Sequence, residues 1–81
     1  MQASMRERAI RIVSNVLGYP IEQIDDDTSP DTVKTWDSLR HMKLVLALEE
    51  ELGVQLTADQ IVEMNNVALI LAVLDEATAG S

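Results

Sequence analysis

Eighty-one residues suit one compact domain, and a chain this short buries only about 60% of the surface it would expose unfolded, which argues against a deep, enclosed active site. Fourteen acidic against six basic residues leave a net charge of -8, which repels phosphate backbones and anionic lipid and makes a basic protein patch the natural partner. No cysteine is present, so disulfides, thiolate metal sites and a catalytic thiol of the chain's own are excluded.

Apolar residues make up 47% of the sequence, but phenylalanine is absent and tryptophan and tyrosine occur once each. The expected core is therefore built from Leu, Ile, Val, Ala and Met, a set that favours packed helices over a sheet. The opening stretch MQASMRERAIRIV lacks the uninterrupted apolar run of a signal peptide, and no later stretch reaches membrane-spanning length. These features predict a soluble, cytoplasmic, monomeric chain with neither nucleic acid nor membrane among its partners.

Ser4 and Glu7 fit a capping box that opens a first helix over residues 4–17. Met5, Ala9, Ile12, Val13, Val16 and Leu17 recur at helical spacing, and Gly18 suits a left-handed cap. The stretch YPIEQIDDDTSPDTVKT, residues 19–35, is too rich in Pro, Asp, Thr and Ser for a long helix and lacks the alternation of a strand. A loop of that length in a small domain must be pinned, and Ile21, Ile24 and Val33 are the expected anchors.

Residues 38–52, SLRHMKLVLALEEEL, predict a second and best-buried helix, with Leu39, Met42, Val45, Leu46, Leu48 and Leu52 covering more than one stripe and Gly53 as the stop. Thr57 and Gln60 form a second capping box ahead of a short helix at about Ala58 to Met64. Asn66 is placed to cap a last helix, Val67 to about Ala77, whose apolar face carries Val67, Ile70, Leu71, Val73 and Leu74 before TAGS frays. The expected architecture is all-α: a small bundle of three long helices and one short one.

Asp37, Ser38 and His41 have the residue types of a nucleophilic triad, but Ser38 and His41 share one helical turn, and no glycine-flanked strand-to-helix elbow presents the serine. Asp25, Asp27 and Ser29 fall at alternate positions as in a calcium-binding EF-hand loop. There, however, Pro30 stands where that loop needs glycine and Trp36 where it needs glutamate, so no metal site is expected. Ser38 has another use. Asp37 as N-cap accepts the Arg40 backbone N–H, which leaves the Ser38 hydroxyl free and outward at the positive end of a helix, where a phosphate is favoured. Leu39 is expected to turn inward and fix that turn. Asp and Ser are equally the ordinary residues of a helix start, and local chemistry alone leaves both readings open.

The order of the parts narrows the choice: a capped helix, a long loop, DSL at the head of the second helix, ALEEELG at its end, a short third helix and a last apolar one. This resembles an acyl carrier protein, most densely over WDSLRHMKLVLALEEELGV and by spacing over residues 4–76. The resemblance implies an acyl-carrier-like four-helix bundle, one carrier domain over residues 1–81 with an ordered core at about 4–76. It implies a carrier and not an enzyme, with 4'-phosphopantetheine attached covalently to Ser38 by a separate phosphopantetheinyl transferase and flanked by Asp37 and Leu39. The missing cysteine then has a reason, since the thiol that holds an acyl or aminoacyl group as a thioester arrives with the prosthetic group.

By position, the resemblance also implies that Met42, Leu46 and Met64 touch partner enzymes and that Glu49 and Glu50 are acidic docking positions. The partners would be an acyl-loading enzyme, an acyltransferase or a synthase of the pathway. Arg40 and Lys43 depart from the pattern, standing where many fatty-acid-type carriers have acids, and point to a dedicated partner. Trp36 before Asp37 resembles discrete carriers of polyketide and related pathways. Asp37 argues against a peptidyl carrier, in which glycine is usual before the serine, whereas a D-alanyl carrier and an unmodified helical interaction module remain open alternatives.

Overall fold

The computed structural model describes residues 4–79 and contains four α-helices: α1 Met5–Leu17, α2 Ser38–Leu52, α3 Ala58–Glu63 and α4 Val67–Ala79. A short 3-10 turn at Ile21–Gln23 lies within the loop between α1 and α2, and no strand is present among the described residues. The whole is 34 × 33 × 19 Å, about two helix diameters deep, which leaves room for one apolar layer between helices.

Each helix starts where its cap predicts. The Ser4 hydroxyl accepts the Glu7 N–H at 3.1 Å, and at Thr57 both halves of the capping box form, with Gln60 N–H donating to Thr57 Oγ1 at 3.1 Å and Thr57 N–H to Gln60 Oε1 at 3.0 Å. Gly18 and Gly53 end α1 and α2 with φ of 63° and 65°, the left-handed conformation that a side chain would strain. The last helix runs past the expected Ala77 to Ala79, because the Thr78 hydroxyl returns to the Leu74 and Asp75 carbonyls of its final turn. Of the tail expected to fray, Gly80 and Ser81 lie outside the described residues.

Ala9, Val13 and Leu17 of α1, Leu44, Val45 and Leu48 of α2, and Val67, Ile70, Val73 and Leu74 of α4 are all buried and form the centre of the core with Val54 and Met64. Val33 and Trp36 reach into the same core from the loop, so the interior is not purely aliphatic as the composition suggested. On α2 the apolar residues divide between two faces. Leu44, Val45 and Leu48 point inward, whereas Leu39, Met42 and Leu46, spaced i, i+3, i+7, form the opposite stripe and are 65%, 48% and 59% exposed. Leu39 therefore does not turn inward as expected; the buried position at the helix head is taken by Trp36 instead.

Backbone bonds pin the long loop more than its isoleucines do. Three amides that α4 cannot satisfy itself find acceptors: Val67 on the Thr28 carbonyl at 3.0 Å, Ala68 on the Asp26 carbonyl at 3.1 Å and Leu69 on Asn66 Oδ1 at 2.8 Å, before Ile70 makes the first helical bond to the Asn66 carbonyl at 3.0 Å. Thr28 is buried, its hydroxyl accepting the Asp25 N–H at 2.9 Å. At the other end of the loop, Thr35 Oγ1 donates to the Leu17 carbonyl at 2.8 Å and the Arg40 guanidinium to the Val16 carbonyl at 3.1 Å, which completes the C-terminus of α1. Of the expected anchors, Val33 is buried and Ile24 half-buried, but Ile21 is 40% exposed, since the 3-10 turn carries it outward.

The two faces of α2 are distinguishable by stability. Leu48→Ala should cost about 2–5 kcal/mol in urea unfolding, whereas Leu39→Ala should change stability by less than about 0.5 kcal/mol. A large loss at Leu39 would show that this side chain is packed in solution.

Candidate functional site

The site is built where the loop meets α2. Trp36 is 4% exposed, and its burial orients the residues that follow it. Asp37 is extended, with φ −100° and ψ −176°, and caps the helix: its Oδ1 accepts the Arg40 N–H at 2.8 Å and its carbonyl accepts the His41 N–H at 2.9 Å. Ser38 is the first residue of α2, exposed, and its hydroxyl makes no hydrogen bond to any described residue. The backbone N–H groups of Ser38 and Leu39 lie in the first turn and are not taken by the cap.

Beside Ser38 an open groove of about 540 Å³ runs between α2 and α3. Its lining comes from Trp36, Asp37 and Ser38 at the helix head, His41 and Met42 of α2, Ile61 and Val62 of α3, and Pro30 and Asn65 at the loops. One imidazole spans it. Trp36 Nε1–H donates to His41 Nδ1 at 3.0 Å, and His41 Nε2 lies 2.9 Å from the Ile61 carbonyl. An indole N–H only donates and a carbonyl only accepts, so the ring is neutral with its proton on Nε2. The indole and imidazole planes are 24° apart with centroids at 6.2 Å. Both ring nitrogens are thus engaged away from the Ser38 hydroxyl, and His41 is a structural bridge.

The structure brings Asp37, Ser38 and Met42 together at the groove. Leu39 and Leu46 lie on the exposed stripe of α2, and Val62 of α3 is 72% exposed. Glu50 and Lys43 are exposed. Of three further expected docking residues, Met64 is buried, and half-buried Glu49 and Arg40 also make internal contacts. Met64 is 0% exposed, because it caps the C-terminus of α3 and its side chain completes the core between α3 and α4. Glu49 Oε2 accepts the Leu56 N–H at 2.9 Å and holds the connection to α3, and Arg40 is the α1 cap described above.

Trp36, His41, Ile61 and Val62 shape the site and were not among its expected members. The sequence offered one signal for them: its single tryptophan and single histidine stand five residues apart across the serine.

The family model described as "Phosphopantetheine attachment site" matches residues 7–74, which reach from α1 into α4 and include the groove. Solved structures similar to this chain include the holo acyl carrier protein of Geobacter metallireducens, determined by solution NMR. It is 23% identical with a TM-score of 0.81, over 93% of this chain and 86% of that one, and shows the same fold. No curated protein sequence matches significantly. A family match over most of the chain, on a bundle whose second helix opens with an exposed serine, places this protein in the phosphopantetheine-attachment family, as a carrier of that prosthetic group and not an enzyme.

Proposed function

We propose that Ser38 is the attachment point of the 4'-phosphopantetheine group and that the chain is a cytoplasmic, monomeric acyl carrier protein, one carrier domain serving a pathway of polyketide or fatty-acid type. The observation that carries this reading is the exposed, unpartnered Ser38 hydroxyl at the first position of α2. The surroundings suit a phosphodiester: the Ser38 and Leu39 amides and the positive helix end favour the negative charge, and the Asp37 carboxylate is already committed to the Arg40 N–H. When attached, the group supplies the thiol that holds an acyl or aminoacyl cargo as a thioester. What the chain itself contributes is a rigid helix head that presents the hydroxyl to a phosphopantetheinyl transferase, and a surface for the loading enzyme, acyltransferase or synthase that follows.

That surface is read as the exposed stripe Leu39, Met42 and Leu46 with Val62 beside the groove, bordered by Glu50 and Lys43. Apolar side chains of this kind, methionine above all, adapt to more than one partner. With Arg40 committed to α1, Lys43 is the basic residue that alters the charge of this face, and it favours a dedicated partner over a general one. No helix among the described residues is long and apolar enough to cross a membrane.

Incubation with coenzyme A and a promiscuous phosphopantetheinyl transferase should add one phosphopantetheine to the intact mass, and Ser38→Ala should abolish the gain while keeping the helical circular dichroism. An unchanged mass in the parent chain would refute the assignment. For docking, Glu50→Lys should slow cargo transfer to a basic partner and flatten its salt dependence, with stability within about 0.5 kcal/mol of the parent. Glu49→Ala should instead lower stability by about 1–2 kcal/mol, since it strips the Leu56 amide of its acceptor. Transfer by the parent chain that is insensitive to salt would remove the steering role of Glu50.

A further inference from the structure

The groove beside Ser38 is closed by little. α3 packs mainly on α4, and among the described residues the hydrogen bond from His41 Nε2 to the Ile61 carbonyl is the one that joins α2 to α3. The same ring accepts from Trp36, so a single imidazole ties the loop, α2 and α3 together around the groove. We infer that His41 is a proton-sensitive latch: neutral, it holds α3 against α2; protonated, it lets go and opens the groove toward Ser38.

The reason is geometric. Taking up a proton turns Nδ1 into a donor that faces the Trp36 N–H at 3.0 Å, where neither group can accept. Trp36 is held in the core and cannot yield, whereas His41 is only half-buried. The charged ring therefore swings toward water, where its charge is solvated, and both of its bonds are lost together. The bond is present while the ring is neutral and is lost once the ring takes up a proton.

The groups around the ring leave His41 as the switch. It bonds Trp36 of the loop and the Ile61 carbonyl of α3, and it shares the groove with Pro30, Val62 and Asn65, none of which is ionisable. On α2 the Asp37 carboxylate is engaged with the Arg40 amide, and the Arg40 guanidinium with Val16 of α1. The consequence for the carrier rests on the Ser38 reading: release of α3 widens the groove and frees its half-buried Ile61 to whatever is attached at Ser38.

The test needs no prosthetic group, so its failure is separate from failure of the Ser38 assignment. The single tryptophan and single histidine each give one unambiguous NMR signal. As the solution is acidified, the Trp36 indole N–H resonance of the unmodified chain should move in step with the His41 ring signals. The protection factors of the α3 amides should fall about five- to tenfold with them, the scale of one lost hydrogen bond. His41→Gln offers an acceptor and a donor that do not titrate, so its indole resonance and α3 protection should stay flat under the same acidification. An indole signal and α3 protection indifferent to the His41 titration would overturn the latch, as would a His41→Gln variant that kept the parent's pH response.

Discussion

A loop that runs from residue 19 to 35 must be held over a bundle about two helices deep, and it is held by backbone groups that helices leave unpaired. The carbonyls of Asp26 and Thr28 serve the first amides of α4, and the Thr35 hydroxyl serves the last carbonyl of α1. The Arg6–Asp26 ion pair at 2.8 Å adds little, because both side chains are more than half exposed. Buried Val33 and Trp36 then fix the end of the loop. Loop and helices thus complete one another: without the loop, two helix ends would be unsatisfied, and without those ends the loop would have few partners.

The position of Ser38 follows from this. Trp36 enters the core, Asp37 is drawn into an extended cap, and the next residue begins α2 with its hydroxyl facing water. A carrier needs its attachment point to be accessible yet rigidly placed, and burial two residues upstream combined with capping one residue upstream supplies both. Asp37 is therefore a positioning residue as much as a helix start, which joins the two readings that the local sequence left open.

The second helix explains most of the differences between expectation and structure. It is apolar on two faces, one packed on α1 and one exposed beside the groove, and its composition alone does not say which is which. Spacing separates Leu39, Met42 and Leu46 from Leu44, Val45 and Leu48, but only a neighbour on one side makes a face internal. Polar residues behaved in a similar way: Arg40 and Glu49 look like surface charge in sequence, and each is engaged with a backbone group of another element that sequence distance conceals.

Helix number, helix boundaries and the DSL start were legible because they rest on local chemistry: capping hydroxyls and carboxylates, left-handed glycines and periodic apolar residues all act within a few positions of where they stand. What only the tertiary structure decided involves contacts between distant segments: the burial of Trp36 and Met64, the outward turn of Leu39, the loop carbonyls on α4, and the bridge from Trp36 through His41 to Ile61. A side chain's own chemistry limits what it can bond. Its partner, and therefore its role, depends on which elements the folded chain brings to it.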